Sequence, residues 1–203
     1  MPNCDSQPSL ENLIESKNIG IESLHPGGLE TTKELANLCK VTENSLLLDV
    51  ASGTGEGTCF LVEEFKCHAV GIDISQVMIK RAKEKAQKKN LNIDFKIGDA
   101  HYLPFENNSF DVVIDRQSIQ HNTIKNIKKT IQEVERVLKK DGSFYSVMVS
   151  EADYDFYTTY MTESGIREIL SDFNIISIDK YIKTSNNQSV KATTLLIHAK
   201  KPF

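Results

Sequence analysis

Apolar positions in this chain switch between two periods, and between residues 46 and 149 the switching is regular. Short apolar runs at 46–50, 68–72, 93–97, 110–114 and 143–149 read as buried strands. Helical spacing fills the gaps. A helix over 58–64 follows a glycine-rich turn, and Ser75 is placed to cap another over 76–89 with Val77, Met78 and Ala82 as its apolar part. The best-patterned helix carries Ile127, Ile131, Val134 and Leu138 at spacings of four, three and four. It is predicted to stop at Lys139-Lys140-Asp141-Gly142, with Gly142 as a left-handed cap.

The flanks are patterned differently. Residues 10–17 form a short amphipathic helix, His25-Pro26-Gly27-Gly28 breaks it, and Thr31 or Thr32 caps a helix to about Lys40 with Leu35 and Leu38 inward. After residue 150 comes an acidic, tyrosine-rich stretch, then a helix over 165–170 capped by Thr162 or Ser164. Strands at 175–181 and 193–197 are joined by a polar segment containing Asn186-Asn187, which suits a hairpin. Five strands with helical crossovers and a terminal hairpin predict an α/β three-layer sandwich. Its sheet is seven-stranded and mostly parallel, ending in an antiparallel pair. With 203 residues this is one domain, residues 1–43 forming an N-terminal helical cap on a core of 44–203.

Composition narrows the partners. Net charge is −4, which gives no overall drive toward nucleic acid. One helix does carry Lys80, Arg81, Lys83, Lys85, Lys88 and Lys89 against Glu84, a local +5, but no aromatic residue interleaves to stack bases and a solvated face explains it. Cys4, Cys39, Cys59 and Cys67 include no CxxC pair, so no metal is expected and the thiols read as buried and free. The first ten residues have no signal-like apolar core and no run of 18 apolar residues occurs. Cytoplasmic placement is expected, with no membrane partner.

The stretch 46–59, LLLDVASGTGEGTC, holds the chemistry. An apolar strand ending in Asp49 runs into Gly53, Gly55 and Gly57, a turn where a ligand can approach backbone and the following helix offers unpaired N–H groups. A dinucleotide fingerprint GxGxxG would need glycine at 58, where Thr58 stands, with Gly57 one residue early. Asp73, 20 residues after Gly53 and at a strand end, can accept both hydroxyls of a ribose. There is no GxxxxGK[ST] run.

Asp49-Val50-Ala51-Ser52-Gly53-Thr54-Gly55, Gly71-Ile72-Asp73-Ile74-Ser75 and Gly98-Asp99-Ala100 together resemble the Rossmann-like S-adenosylmethionine-dependent methyltransferases. The resemblance covers roughly residues 24 to 150, includes VERVLKKDGSF at 134–144, and extends to the terminal hairpin. Ala51 departs from it, since the family has glycine there. It implies that Gly53 and Gly55 let the cofactor lie on the backbone and that Asp49 stands near its ammonium. Asp73 grips the ribose and Ile74 covers one face of adenine. Asp99 accepts from the adenine amino group, the Ala100 amide donates to the ring, His101 flanks it, and Gln117 joins the cofactor set. A strand-end aspartate that only caps the next helix is the plainer alternative. The implied activity is methyl transfer by direct displacement to a small molecule, releasing S-adenosylhomocysteine, in a monomer or homodimer. RNA or protein methylation stays open within the fold; an NAD(P)-dependent oxidoreductase or a non-catalytic cofactor binder stays open outside it.

On the acceptor side, Asp115-Arg116-Gln117-Ser118-Ile119-Gln120-His121-Asn122 follows the fourth strand, where ligands of open parallel sheets sit. His121 is the candidate base, imidazole being the side chain that ordinarily exchanges a proton near neutral pH; a capping or surface histidine reads equally well. Arg116 is expected to anchor an anionic acceptor or to pair with a carboxylate of 151–155. His25, Gly28, Tyr154 and Tyr157 complete the expected acceptor pocket, although the tyrosines also fit one packed helical stripe.

Overall fold

A computed structural model describes residues 28–116, 118–152, 162–184 and 191–202. The helix over 10–17, His25, Gln117, Tyr154, Tyr157 and the turn at Asn186-Asn187 lie outside the described residues.

Among the described residues, five helices and seven strands follow in chain order: α1 (Gly28–Leu38), β1 (Leu46–Val50), α2 (Glu56–Phe65), β2 (His68–Asp73), α3 (Gln76–Lys88), β3 (Asp94–Ile97), β4 (Phe110–Arg116), α4 (Ile124–Val137), β5 (Leu138–Ala152), α5 (Glu163–Ile169), β6 (Asn174–Thr184) and β7 (Lys191–Lys200). The sheet runs β3-β2-β1-β4-β5-β7-β6. Its first five strands are parallel, while β7 is antiparallel to both β5 and β6. The mostly parallel α/β sandwich expected from the apolar pattern, Rossmann-like as the resemblance implies, is the fold observed.

Strand alternation sorts β1 between the two faces of the sheet. Leu48 and Val50 join the core under α4 and α5, with Ile127, Ile131, Val134 and Ile166. Leu47 joins the opposite core, with Leu35 and Ala36 of α1 and Leu61 of α2. Asp49 falls on this second face, 0% exposed. Strand order reverses between β1 and β4, so the turns after these two strands face each other across the switch point.

Two of the expected caps, Ser75 and Thr162, are observed, and Thr123 caps α4 without having been singled out in the sequence. The Ser75 and Thr123 side chains accept from the Met78 and Asn126 amides, and Thr162, rather than Ser164, accepts from Gly165. Two expectations are corrected. The first helix begins at Gly28, so residues 31 and 32 lie inside it, and Leu38 is 51% exposed while Ala36 and Cys39 take the inward positions. The patterned helix ends at Val137, and Leu138 already belongs to β5. The left-handed residue there is Asp141 at φ 60°, not Gly142. Gly142 is needed for space instead, since a Cβ would come 2.3 Å from a Leu138 methyl.

Candidate functional site

The turn after β1 is wound left-handed at three positions: Ala51 (φ 53°), Gly53 (φ 55°) and Gly55 (φ 73°). Glycine adopts this region freely; alanine does so at a cost of roughly 1–2 kcal/mol. At Gly55 a Cβ would strike the Phe95 ring at 2.7 Å, so glycine is required for packing. At Gly53 nothing lies within 4 Å of a Cβ position, so the backbone there is open to an incoming molecule.

Asp73 ties this turn to the end of β2. Its Oδ2 accepts from the Gly53 amide at 2.8 Å and its Oδ1 from the Ser75 amide at 2.9 Å. The carboxylate therefore both braces the glycine turn and opens α3, which meets the helix-capping alternative for this residue. Ile74, next in the chain, is 73% exposed. At the end of β3, Asp99 Oδ1 accepts from the His101 amide at 2.8 Å and stands 2.7 Å from His101 Nδ1. His101 therefore holds Asp99 in place. Asp99 keeps 40% side-chain exposure, enough for a further contact, and Ala100 packs against the core beneath.

The deepest part of the site was not foreseen. Arg116, the last residue of β4, is expected to face the acceptor; its guanidinium turns under the glycine turn instead. Nη2 donates to Asp49 Oδ2 at 2.6 Å, and Thr58 Oγ1 donates to the same oxygen at 2.5 Å. Among the described residues the partner of Arg116 is thus Asp49, and the carboxylates of 153–155 lie outside the described residues. A Cβ on Gly57 would lie 1.4 Å from Arg116 Nη1, so the glycine that comes too early for a dinucleotide fingerprint is the one that makes room for this cation. Thr58, standing where that fingerprint needs glycine, is fully buried and occupied with Asp49. Burial pushes the Asp49 carboxyl above the usual carboxylate range, opposed by the charge of Arg116 and by hydrogen bonds from Thr58 and Arg116. Asp49 lies beneath the turn rather than on the pocket surface.

Asp115, one residue earlier and on the other face, is also fully buried. It has no cation. Its Oδ1 accepts from the Ser118 hydroxyl and from the Ser118 and Ile119 amides at 3.0 and 3.2 Å. Its Oδ2 accepts from Ser146 Oγ at 2.8 Å. Burial raises this carboxyl too, against the pull of those four donors. Asp115 thereby fixes the turn that carries His121, whose amide donates to the Ser118 carbonyl at 3.1 Å and whose residue is exposed. The sequence signal for Asp115 was available, as a charge inside the apolar strand FDVVID.

The basic helix is partly neutralised, Lys85 pairing with Glu56 and Lys89 with Glu63. Burial pushes the thiols of Cys39, Cys59 and Cys67 up to about 12, 11 and 11, so none ionises at neutral pH. No helix among the described residues is long and apolar enough to cross a membrane.

A family model described as a methyltransferase domain matches residues 42–191. The chain is similar to phosphoethanolamine N-methyltransferase from Plasmodium falciparum, 33% identical over 124 residues covering 61% of this chain and 46% of that protein. It is also similar to phosphoethanolamine N-methyltransferase 1 from Arabidopsis thaliana, 39% identical over 95 residues covering 47% of this chain and 19% of the relative. The chain thus spans less than half the length of these relatives. Among solved structures the cyclase SpnF aligns with a TM-score of 0.75 at 21% identity, over 86% of this chain and 80% of that one. An identity that low carries the fold and no activity.

Proposed function

The chain belongs to the methyltransferase-domain family, and on that premise we propose that it moves a methyl group from S-adenosylmethionine to a small-molecule acceptor by direct displacement. The observation that carries this reading is the Gly53–Asp73 contact. It joins an open backbone position to a carboxylate at the ends of adjacent strands, with exposed Ile74 beside them and Asp99 one strand further. A nucleoside with a charged tail fits that set. Ribose hydroxyls meet Asp73, a flat base meets Ile74 and the outward edge of Asp99, and the tail lies on Gly53. His101 contributes by orienting Asp99 and flanks the ring.

When bound, the cofactor supplies an electrophilic methyl on a sulfonium. The chain's own work is then to orient and to exclude water, and proximity of this kind contributes on the order of 7–11 kcal/mol. The names of the relatives make an amine of the phosphoethanolamine type the first acceptor to try. An ammonium acceptor must shed a proton before attack, and His121, exposed at the mouth of the turn, is placed to take it.

Calorimetric titration with S-adenosylmethionine, S-adenosylhomocysteine and NADH tests the cofactor. We expect saturable binding of the two sulfur ligands and none of NADH. Asp73→Ala should weaken binding by roughly 10- to 100-fold, the worth of a charge-assisted hydrogen bond or two. NADH binding alone would overturn the reading. For the base, His121→Gln should lower kcat on phosphoethanolamine on the order of 100-fold with little change in cofactor affinity, and added exogenous amine base should restore part of it. An unchanged kcat would remove His121 from the chemistry.

A further inference from the structure

We propose that Arg116 is a positioning residue through which a filled cofactor pocket sets the placement of the acceptor turn. The inference rests on the cofactor reading above. It starts from a cost. Asp49 is 0% exposed and the Arg116 side chain 9%, and taking two charges that far from water is expensive. The pair is not even fully satisfied. Among the described residues, Asp49 Oδ1 and Arg116 Nε are buried with no hydrogen-bond partner. Apolar side chains of similar volume would fill the space at less expense, so stability does not account for the arrangement.

Its location does. Asp49 is the next-to-last residue of β1 and leads into the glycine turn, while Thr58 anchors the start of α2 to the same carboxylate oxygen. Arg116 closes β4, and the chain passes from it into the turn that bears Ser118, Ile119 and His121. Gly57 gives up its side chain so that the guanidinium can sit against the first turn of α2. One cation therefore touches the strand that enters the glycine turn and the helix that leaves it, and it closes the strand from which the acceptor segment departs. Its neighbour Asp115 holds that segment through Ser118, Ile119 and Ser146. Consecutive residues thus grip the two halves of the site from opposite faces of the sheet. A ligand lying on Gly53 restrains the glycine turn, the turn restrains Asp49 and Arg116, and the restraint reaches Ser118–His121 through Arg116 and its neighbour Asp115. Linkage makes the effect reciprocal: an occupied acceptor turn tightens cofactor binding by the same factor.

Amide hydrogen exchange of the 118–123 segment, with and without saturating S-adenosylhomocysteine, reads this coupling without any acceptor. In the wild type, exchange should slow at least about fivefold on saturation, the lower end of ordinary coupling between sites. The decisive variant is Asp49→Asn combined with Arg116→Met, which removes both charges together and so avoids an orphaned one. It should fold, bind S-adenosylhomocysteine at a concentration that saturates it, and show no slowing at 118–123. Gly57→Ala keeps both charges but expels the guanidinium, and should abolish the slowing likewise. Slowing that survives in the double variant would overturn the proposal, since the pair would then be structural only. Loss of ligand binding in the double variant would overturn it too, by making the pair part of the cradle. Wild-type binding without slowing would sink the coupling and leave the cofactor reading intact, whereas no wild-type binding would sink both.

Discussion

Asp49 and Asp115 sit at neighbouring strand ends on opposite faces of one sheet, equally buried, and the molecule compensates them in different ways. Beneath the glycine turn, Asp49 faces a full positive charge from Arg116 plus one hydroxyl. On the opposite face, Asp115 meets only neutral donors among the described residues, two hydroxyls and two amides. A neutral cage can be lost one bond at a time. A charge pair cannot, because removing one member strands the other where water cannot reach it. The cofactor half is therefore the brittle half, and the acceptor half can be altered more freely without unfolding the chain. An enzyme that keeps one cofactor while its acceptor changes would be built in this way.

Breaking each carboxylate's support separately puts numbers on that contrast. Arg116→Met should cost about 3–5 kcal/mol in urea unfolding, the usual result of stranding one buried charge, and adding Asp49→Asn should return most of it. A loss under 1 kcal/mol would mean that Asp49 is supported some other way. Asp115→Asn should cost only about 1 kcal/mol at neutral pH, because the amide oxygen still accepts from the turn and Ser146 can reverse its donor role. The sign of its pH dependence is fixed by the raised carboxyl. A group whose folded pKa lies above its unfolded value contributes most below the unfolded value, ordinarily 3.8, and loses that contribution as pH climbs through the folded one. The gap between wild type and Asp115→Asn should therefore be widest near pH 4 and narrow toward neutrality. A gap that widens instead would contradict the burial argument.

This brittleness was only half legible in the sequence. Glycines and strand-end aspartates signal through chain order, so the turn at 51–55, Asp73 and Asp99 could be read residue by residue. Two cap residues acted just as locally, and Ser75 and Thr162 accept from amides three residues on. Arg116 could not be read that way. Its partner is 67 residues distant and its room is provided by Gly57, so its role exists only once β1 and β4 are paired. Gly57 did leave a trace, as a glycine in the wrong place for a dinucleotide site. Gly142 misled for a related reason: a glycine after a helix suggests a cap, but here the β5 backbone needs its missing Cβ and Asp141 takes the left-handed turn.

The smallest expected effect sharpens the comparison from the other direction. If the glycine turn is held rigidly by Asp73 and the buried pair, it can force a poor conformation on a residue that does not favour it. Ala51 at φ 53° is such a residue, and a turn that tolerates it must be over-determined by its surroundings. Ala51→Gly removes roughly 1–2 kcal/mol of left-handed strain and returns roughly 0.5–1 kcal/mol through the freer unfolded chain. The net should be about 0.5–1 kcal/mol of stabilisation, raising Tm by about 2 °C in a domain of this size. The same change made on top of Arg116→Met should stabilise less. With the pair broken, the turn can relax on its own and less strain remains to be relieved. Equal gains in both backgrounds would show that Ala51 is held by the local Ser52–Gly55 turn alone, and that the buried pair does not set the shape of the glycine turn.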